Sequence, residues 1–493
     1  MLSSSVLLAD FSLQFRAILT TLIHHDSRPR RAALDRLAFP GRVSYHRLAN
    51  GLRVCVVEAP HLHGAAVALY VRAGSRYERA SNNGLSHFVE HMLFRGCAHY
   101  PNSFALNQAI EQCCGMLIGE TGRDYSLYQV TLHPRDLGGA LDILGDLFSA
   151  PTFSDLDLER AIVLEEILDD FDERGRRINT DDLAREALWS GHPLGFPITG
   201  PEKNIRRFSR ADVVRHFRRL YGARNMVLCV AGPVRPAPVL AQVRRAFGGL
   251  PSGRRLRPVP PPARVKGPRF QTVRSDSAQA EIQILFHALA DQDPGSAALT
   301  VLLRVLDDGM STRLHYRVCD QKGLAYHVSA ALDPLYDTSL LEIDSACLPD
   351  KLPRLTGEIM ALLSDLRTTL VSDEELSKAK GRYARDVEAG FDDIEGLCSW
   401  FGGTALFFSR PRSPAERYRR VAAVSAEQIR QVARRVLQPE RLVAVVVGNV
   451  ERRLSRRVER ILRDSFNAGA SRTIPSRRCS AGIPRTERRV RPA

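Results

Sequence analysis

Hydrophobic and polar positions follow one another in the same order in two parts of the chain. Residues 209–220 begin at a serine and carry apolar side chains three and four positions apart, which predicts an amphipathic helix, and the apolar run 226–231 that follows predicts a buried strand. The same order returns 216 residues later, with a predicted helix over 425–436 and a predicted strand over 442–447. This pattern indicates two copies of one structural unit.

A second pair of patches supports an internal duplication. The dipeptides Ser154-Asp155 and Ser372-Asp373 lie 218 residues apart, and each follows a long helical pattern. Two unrelated patches at nearly the same spacing indicate a repeat. Between the two halves, residues 248–268 are rich in proline and arginine, a composition typical of a linker.

The order of the predicted elements determines the expected fold class. Strand-like segments, among them 282–289, 326–331 and 340–343, stand beside helices without regular crossover helices between them, which favours an α+β protein over a doubly wound sheet. We expect two homologous domains, each a mostly antiparallel sheet packed with helices, that together form a clamshell. The expected divisions are a poorly ordered extension over 1–42, a first domain over 43–247, the linker over 248–268, a second domain over 269–466 and a disordered basic tail over 467–493.

Composition narrows the class of protein further. The 493 residues are 44% hydrophobic, which is enough for substantial cores, and charged residues interrupt each apolar run before it is long enough to cross a bilayer. The net charge of +15 raises nucleic-acid binding as an alternative, but the arginines lack interleaved aromatic or glycine-rich patterning. Nine cysteines without a C-x-x-C pair fit neither a disulfide framework nor a thiolate zinc site. A secretory signal fits residues 1–40 poorly, so we expect a cytoplasmic protein, with the periplasm or an organelle matrix as alternatives.

The segment 84–94 carries the spacing of a metal site. His87 and His91 are four positions apart, so on a helix both imidazoles point from one face, and Glu90 stands beside them. A hydrolytic zinc site needs neutral nitrogen ligands and a carboxylate that accepts a proton from water. This H-x-x-E-H order therefore predicts a zinc site. The alternative, two histidines on a surface helix, fits poorly because the neighbouring side chains are apolar.

A second predicted helix offers the further ligand that such a site needs. Residues 159–170 form a helical apolar stripe, and Glu159 and Glu166 lie two turns apart along it. A cation is the simplest partner for two carboxylates on an apolar stripe, and salt bridges are the alternative, to Arg160, Arg174 or Arg176. The repeat places Ser377 and Ala384 at the equivalent positions, so the ligand set occurs once, in the first half.

These residues, in this order, resemble the inverzincins of the pitrilysin/insulinase family of zinc metallopeptidases, and most closely its bacterial and mitochondrial-processing-peptidase-like branch, over roughly residues 43–466. In that family, H-x-x-E-H is followed by a glutamate in an E-x6-E helix at the distance that separates His91 from Glu166. The resemblance implies that one Zn²⁺ per chain is held by His87, His91 and Glu166. It also implies that Glu90 is the general base, that Glu159 orients a ligand, and that Tyr326, in Gly323-Leu324-Ala325-Tyr326, has a catalytic role in holding substrate.

The chain departs from the family pattern at two positions. The family's substrate-binding edge strand usually reads G-G-x-x-N-A-x-T, and here Ile118 takes the place of the asparagine. In the second half, Cys319 stands where the family commonly has an arginine that acts with Tyr326. We still expect a bound peptide to lie along the edge strand, beside Ile118, Gly119, Glu120 and Thr121.

The sequence therefore predicts a zinc-dependent endopeptidase that hydrolyses peptides or unfolded polypeptide segments. The expected partners are the substrate polypeptide and a second chain, either another copy in a homodimer or a related chain in a heterodimer. Neither nucleic-acid binding nor membrane insertion is expected. The alternative function is a non-catalytic or weakly active subunit of a heteromeric peptidase of the same family.

Overall fold

The computed structural model describes residues 39–113, 115–262, 267–409 and 411–465. Nearly all of the predicted N-terminal extension and the whole predicted tail lie outside these residues. Within them, the chain forms two β-sheets flanked by helices.

The first sheet belongs to the first half of the chain. Its strands are β1 (Arg42–Arg47), β2 (Arg53–Glu58), β3 (Ala65–Val71), β4 (Met116–Thr121), β5 (Ser126–Leu132) and β6 (Met226–Gly232). They lie in the order β1-β2-β6-β3-β5-β4, and each neighbouring pair is antiparallel except β2 with β6. Strand β4 is therefore an edge of this sheet.

The second sheet repeats this topology. Its strands are β7 (Arg269–Arg274), β8 (Ala280–His287), β9 (Val328–Pro334), β10 (Ser339–Cys347) and β11 (Leu442–Gly448). They lie in the order β7-β11-β8-β10-β9, with only β7 and β11 parallel. This order matches β2-β6-β3-β5-β4, which confirms the predicted α+β class with mostly antiparallel sheets.

Helices flank the sheets in both halves of the chain. The first half contains α1 (Leu85–Leu93), α2 (Ser103–Gln112), α3 (Leu137–Ser149), α4 (Leu156–Leu168), α5 (Thr180–Leu188), α6 (Glu202–Ile205), α7 (Arg210–Leu220) and α8 (Pro236–Phe247). The second half contains α9 (Ser296–Leu306), α10 (Arg313–His315) continued by a π-helix (Tyr316–Gln321), α11 (Leu352–Thr368), α12 (Asp373–Ala389), α13 (Ile394–Leu397) continued by a π-helix (Cys398–Gly403), α14 (Thr404–Phe407), α15 (Pro414–Ala422), α16 (Ala426–Val436) and α17 (Arg452–Asp464).

The predicted helix starts are visible as matching caps. The Ser209 hydroxyl accepts a hydrogen bond from the backbone N–H of Asp212, and the Ser425 hydroxyl accepts one from the backbone N–H of Gln428, each at 3.2 Å. In both cases the side chain of the third helical residue bonds back to the backbone N–H of the serine. These capping boxes satisfy N–H groups that a helix start leaves without a partner.

The two halves interlock through the faces of their sheets. One face of each sheet packs against helices of its own half. The other face of the first sheet is covered by residues 394–407 of the second half, and α5 of the first half covers the other face of the second sheet. The central strands β6 and β11 are therefore buried on both sides, which explains their continuous apolar sequences.

One strand start differs from the prediction. The strand predicted over 326–331 begins at Val328, so Tyr326 lies in the loop before β9. None of the helices in the described part of the chain has the length and apolar character needed to span a membrane. The predicted domain boundaries at residues 247 and 268 stay a prediction.

Candidate metal centre

The start of helix α1 is fixed by groups outside the helix. Gly84 precedes α1 with a φ of 96°, a left-handed conformation that favours glycine, and a Cβ at this position would lie 2.5 Å from the carbonyl oxygen of Thr199. The buried carboxylate of Glu78 accepts hydrogen bonds from the backbone N–H groups of Gly84 at 2.9 Å and Ser86 at 2.6 Å. The helix that carries both histidines therefore has a defined position against the rest of the first half.

His87, His91 and Glu166 converge between α1 and α4. Each offers one ligand atom within 4.8 Å of the other two. The Nε2 atom of His87 lies 3.5 Å from Oε1 of Glu166, and the Nε2 atom of His91 lies 3.4 Å from Oε2 of the same carboxylate. Tetrahedral zinc with bonds of about 2.0–2.1 Å places its ligand atoms about 3.3–3.4 Å apart. The three donors therefore fit a zinc ion in their chemistry, and the two distances between histidine and carboxylate are close to this spacing.

Glu159 contacts His91 through the ring nitrogen that does not face Glu166. Its Oε2 atom lies 3.1 Å from Nδ1 of His91, while Arg95 donates to its other oxygen. A carboxylate in this position holds the proton on Nδ1 and leaves Nε2 free for a metal. The two glutamates therefore have different positions. Glu159 contacts Nδ1 of His91, on the side of the ring away from the metal position, and Glu166 faces the Nε2 atoms of both histidines.

Glu90 is half-buried on the same helix as His87 and His91 and is held by the edge strand. The hydroxyl of Thr121 on β4 donates a hydrogen bond of 2.5 Å to Oε2 of Glu90. Burial raises the pKa of Glu90 to about 7, although the Thr121 hydrogen bond opposes that shift. A carboxyl group with a pKa near neutrality can both accept and release a proton, as general acid–base chemistry requires.

The two histidines have opposite protonation tendencies in the metal-free chain. Burial lowers the pKa of His87 to about 4, so its imidazole is neutral at pH 7. Burial also opposes the charged form of His91, but hydrogen bonds to Glu159 and Glu166 outweigh this effect and raise its pKa to about 10. A metal ion must therefore displace a proton from His91, which makes metal binding stronger as the pH rises.

The predicted substrate-binding residues lie on β4, directly beside α1. A Cβ at Gly119 would come within 2.7 Å of both Oε1 of Glu90 and the ring of Phe94, so the strand approaches the metal helix closely. Thr121, expected only as part of the peptide-binding strand, instead directs its hydroxyl to Glu90. Ile118 is exposed and Glu120 is half-buried.

The predicted catalytic residue of the second half lies in an open position. The side chain of Tyr326 is 96% exposed, in the loop that precedes β9. Cys319 lies in the π-helix that follows α10, two residues after Arg317. The guanidinium of Arg317 donates to Glu358 at 2.8 Å, so it is engaged elsewhere and does not replace the arginine that the family pattern has at position 319.

In the described residues, Glu159 and Glu166 form no salt bridge with Arg160, Arg174 or Arg176, and Glu159 pairs with Arg95 instead. Arg160 bonds to Asp157, whereas Arg174 and Arg176 pair with Asp276. Sequence reasoning also missed three groups that shape the site: Glu78, Arg95 and the hydroxyl of Thr121. Arg95 and Thr121 bond to residues 64 and 31 positions away, which no local pattern reveals. Glu78 bonds to backbone N–H groups six and eight positions ahead, through a loop that has no helical or strand period.

Comparisons with known proteins agree with this architecture. The family profile described as "Insulinase (Peptidase family M16)" matches residues 53–202, and the profile described as "Peptidase M16 inactive domain" matches residues 207–383. An uncharacterised zinc protease of Mycobacterium tuberculosis is 32% identical over 436 residues, which cover 85% of this chain and 96% of the relative. A probable mitochondrial-processing peptidase subunit beta of Arabidopsis thaliana is 26% identical over 82% of this chain and 78% of that protein.

Solved structures share the fold. A protease from Helicobacter pylori has a TM-score of 0.76 at 19% identity, covering 83% of this chain and 99% of that chain. The first half of the periplasmic protease PqqL from Escherichia coli has a TM-score of 0.68 at 19% identity, covering 89% of this chain and 100% of that chain. The chain shares the fold of these proteases, and its curated relatives are named as one class, the zinc proteases. Within that class, the chain belongs to the insulinase family, peptidase family M16.

Proposed function

We propose that this chain is a zinc-dependent endopeptidase that cleaves peptides or unfolded polypeptide segments. The observation that carries the proposal is the convergence of His87, His91 and Glu166, whose ligand atoms lie within 4.8 Å of one another, at the helix that also carries the half-buried carboxylate of Glu90. Two neutral imidazole nitrogens and one carboxylate are a donor set of catalytic zinc sites. The names of the curated relatives as zinc proteases support the same conclusion.

His87, His91 and Glu166 would hold the ion, and Glu159 would keep His91 in the tautomer that offers Nε2. When bound, zinc supplies Lewis acidity, which lowers the pKa of a nearby water and polarises a carbonyl. Glu90 then accepts a proton from the attacking water and passes it to the leaving amine. The Thr121 hydroxyl keeps the Glu90 carboxylate in one orientation through this exchange.

The edge strand β4 is the proposed binding position for the substrate backbone. It pairs with β5 on one side, and no strand of the described residues pairs with its other side, so the backbone groups there can form hydrogen bonds with an extended peptide. Binding of this kind needs an unfolded segment because a folded substrate has its backbone groups already paired. Gly119 and Thr121 bring this strand next to Glu90, so a peptide added here would pass the proton acceptor.

A second chain of the same family is the proposed partner. Cys319 replaces the arginine of the family pattern, so this second half lacks one group expected to hold substrate. The chain also matches the full length of a fragment described as the first half of a longer protease, which supports a related chain or a second copy as the other half. A weakly active subunit in a heteromeric peptidase is therefore the second candidate function.

Metal analysis combined with peptide cleavage tests the proposal. The purified chain is loaded with zinc, its metal content is measured by elemental analysis, and cleavage of an unstructured peptide is followed by mass spectrometry with and without a chelator. The expected result is one zinc per chain and cleavage that the chelator removes and added zinc restores. A chain that binds no metal and cleaves nothing would contradict the peptidase and favour the subunit.

A further inference from the structure

The two faces of strand β4 differ in chemistry. One face carries Leu117, Gly119 and Thr121, and both Leu117 and Thr121 are buried there. Gly119 and Thr121 on this face lie next to Glu90 of α1. Met116 and Ile118 point to the opposite face, with 68% and 42% of their surfaces exposed. An edge strand with exposed apolar side chains is a hazard that proteins usually remove with charged residues. Both side chains are therefore available for contact with a strand that is added at this edge.

The apolar part of this face has a defined end. The next side chain on the same face is Glu120, whose carboxylate accepts a hydrogen bond of 2.8 Å from the hydroxyl of Tyr125. Across the sheet, Ile118 pairs with Gln129 of β5. Met116 and Ile118 are thus a short apolar patch that is bounded along the strand by a carboxylate.

The opposite face of β4 offers little to select a side chain. Gly119 has no side chain, and the space that a Cβ would fill is taken by Glu90 and Phe94. The hydroxyl of Thr121 is already bonded to Glu90. Any preference that β4 has for substrate side chains must therefore come mainly from the Met116 and Ile118 face.

We propose that β4 selects polypeptide segments with apolar side chains at two positions separated by one residue, the two that face Met116 and Ile118. This inference rests on the proposed function, in which the substrate adds a strand to β4. Side chains directly opposite one another on neighbouring strands are in contact, and alternate residues of the added strand share a face. The residue that faces Glu120 has no such preference for an apolar side chain. Ile118, which replaces the family's asparagine, is thus a specificity residue.

A peptide library tests this selection. The zinc-loaded wild-type chain cleaves a library of unstructured peptides, and mass spectrometry records which residues occur on each side of the cleaved bond. We expect apolar residues to be enriched at two alternate positions at a fixed distance from that bond. Ile118→Asn should reduce the enrichment at one of these positions about three- to fivefold, and Met116→Ser should act at the other. The matched control is Leu370→Ser, which changes an apolar side chain of the second half that is 48% exposed and should leave the profile unchanged.

A binding measurement separates this inference from the proposed function. The Glu90→Gln chain is titrated with two fluorescent peptides, one with leucine at two alternate positions and one with serine at both. Tighter binding of the leucine peptide, reduced by Ile118→Asn, supports the selection. If the wild-type chain also cleaves no peptide, that second result counts against the peptidase and leaves the selection supported. Equal binding of the two peptides, or cleavage without the alternate apolar pattern, would overturn the selection and leave the peptidase intact.

Discussion

Glu159 provides the sharpest test of the ligand assignment because it is close to the donors without being one of them. Its carboxylate bonds to Nδ1 of His91 at 3.1 Å and also accepts from Arg95. Replacing Glu159 with alanine leaves the donor atoms of His87, His91 and Glu166 in place. It removes only the group that holds the His91 ring and its proton.

The size of the effect follows from these contacts. Carboxylates that bond to a metal-bound histidine typically contribute ten- to a hundredfold to metal affinity, or about 1.4–2.7 kcal/mol. The mutation also leaves the largely buried Arg95 without its acceptor, which should lower the free energy of unfolding by about 1–3 kcal/mol. Glu159→Gln keeps an acceptor for one of the two donors, so its effects should fall between those of wild type and Glu159→Ala. By contrast, Glu166→Ala removes a donor and should abolish zinc binding.

Competition with a chelator of known zinc affinity measures the dissociation constant, and thermal unfolding of the metal-free chains measures stability separately. The matched control is Glu165→Ala, because Glu165 lies on the same helix but is exposed. It should leave both quantities unchanged. A Glu159→Ala chain that loses zinc as completely as Glu166→Ala would refute the assignment of the two glutamates. A Glu159→Ala affinity within twofold of wild type would refute the orienting role.

Three further predictions concern other residues. Glu90→Gln should retain zinc but lower turnover about a hundredfold or more, since it removes a proton acceptor and not a donor to the metal; unchanged turnover at equal zinc content would exclude the general base. The isolated chain should have low, zinc-dependent activity, because the thiol of Cys319 cannot supply a charge-assisted hydrogen bond worth about 1.5–3 kcal/mol. Cys319→Arg or a related partner chain should raise this activity about tenfold, and Tyr326→Phe should lower it. Robust wild-type activity that neither variant changes would contradict the substrate-holding role of the second half. Burial raises the pKa of Glu342 to about 8 even though Arg185 donates a hydrogen bond to it. The folded chain therefore retains a proton that the unfolded chain releases near pH 4.5. The free energy of unfolding consequently falls as the pH rises between these two values. Chemical denaturation from pH 5 to pH 8 should therefore show a fall that is smaller by about 1–2 kcal/mol in Glu342→Gln, and identical pH profiles would show that Glu342 titrates normally.

The sequence by itself determined the features that depend on short spacing. A helix places positions i, i+3 and i+4 on one side, so the order of His87, Glu90 and His91 was enough to bring two imidazoles and a carboxylate together. The repeat and the α+β class followed from hydropathy periods that recur 216 residues apart. Capping serines at 209 and 425 even located two helix starts, because a cap acts on N–H groups two or three residues away.

The family resemblance implied different roles for the two glutamates, but only the tertiary structure shows which histidine atom each one faces. Glu159 and His91 are 68 residues apart, and Thr121 and Glu90 are 31 apart. The sequence pattern showed that both glutamates border an apolar stripe, but the stripe does not specify the element against which it packs. Glu166 faces the Nε2 atoms of both histidines, whereas Glu159 faces Nδ1 of His91. This difference depends on how α4 packs against α1.

The interlocking of the two halves was likewise beyond the sequence pattern. The apolar runs of β6 and β11 indicated burial on both faces, but they did not show that residues 394–407 and α5 come from the opposite half to cover them. Tyr326, predicted within a strand, lies before β9 instead. Hydrophobic burial is non-directional, so a periodic pattern states that a face must be covered, and the packing of the whole chain determines which element covers it.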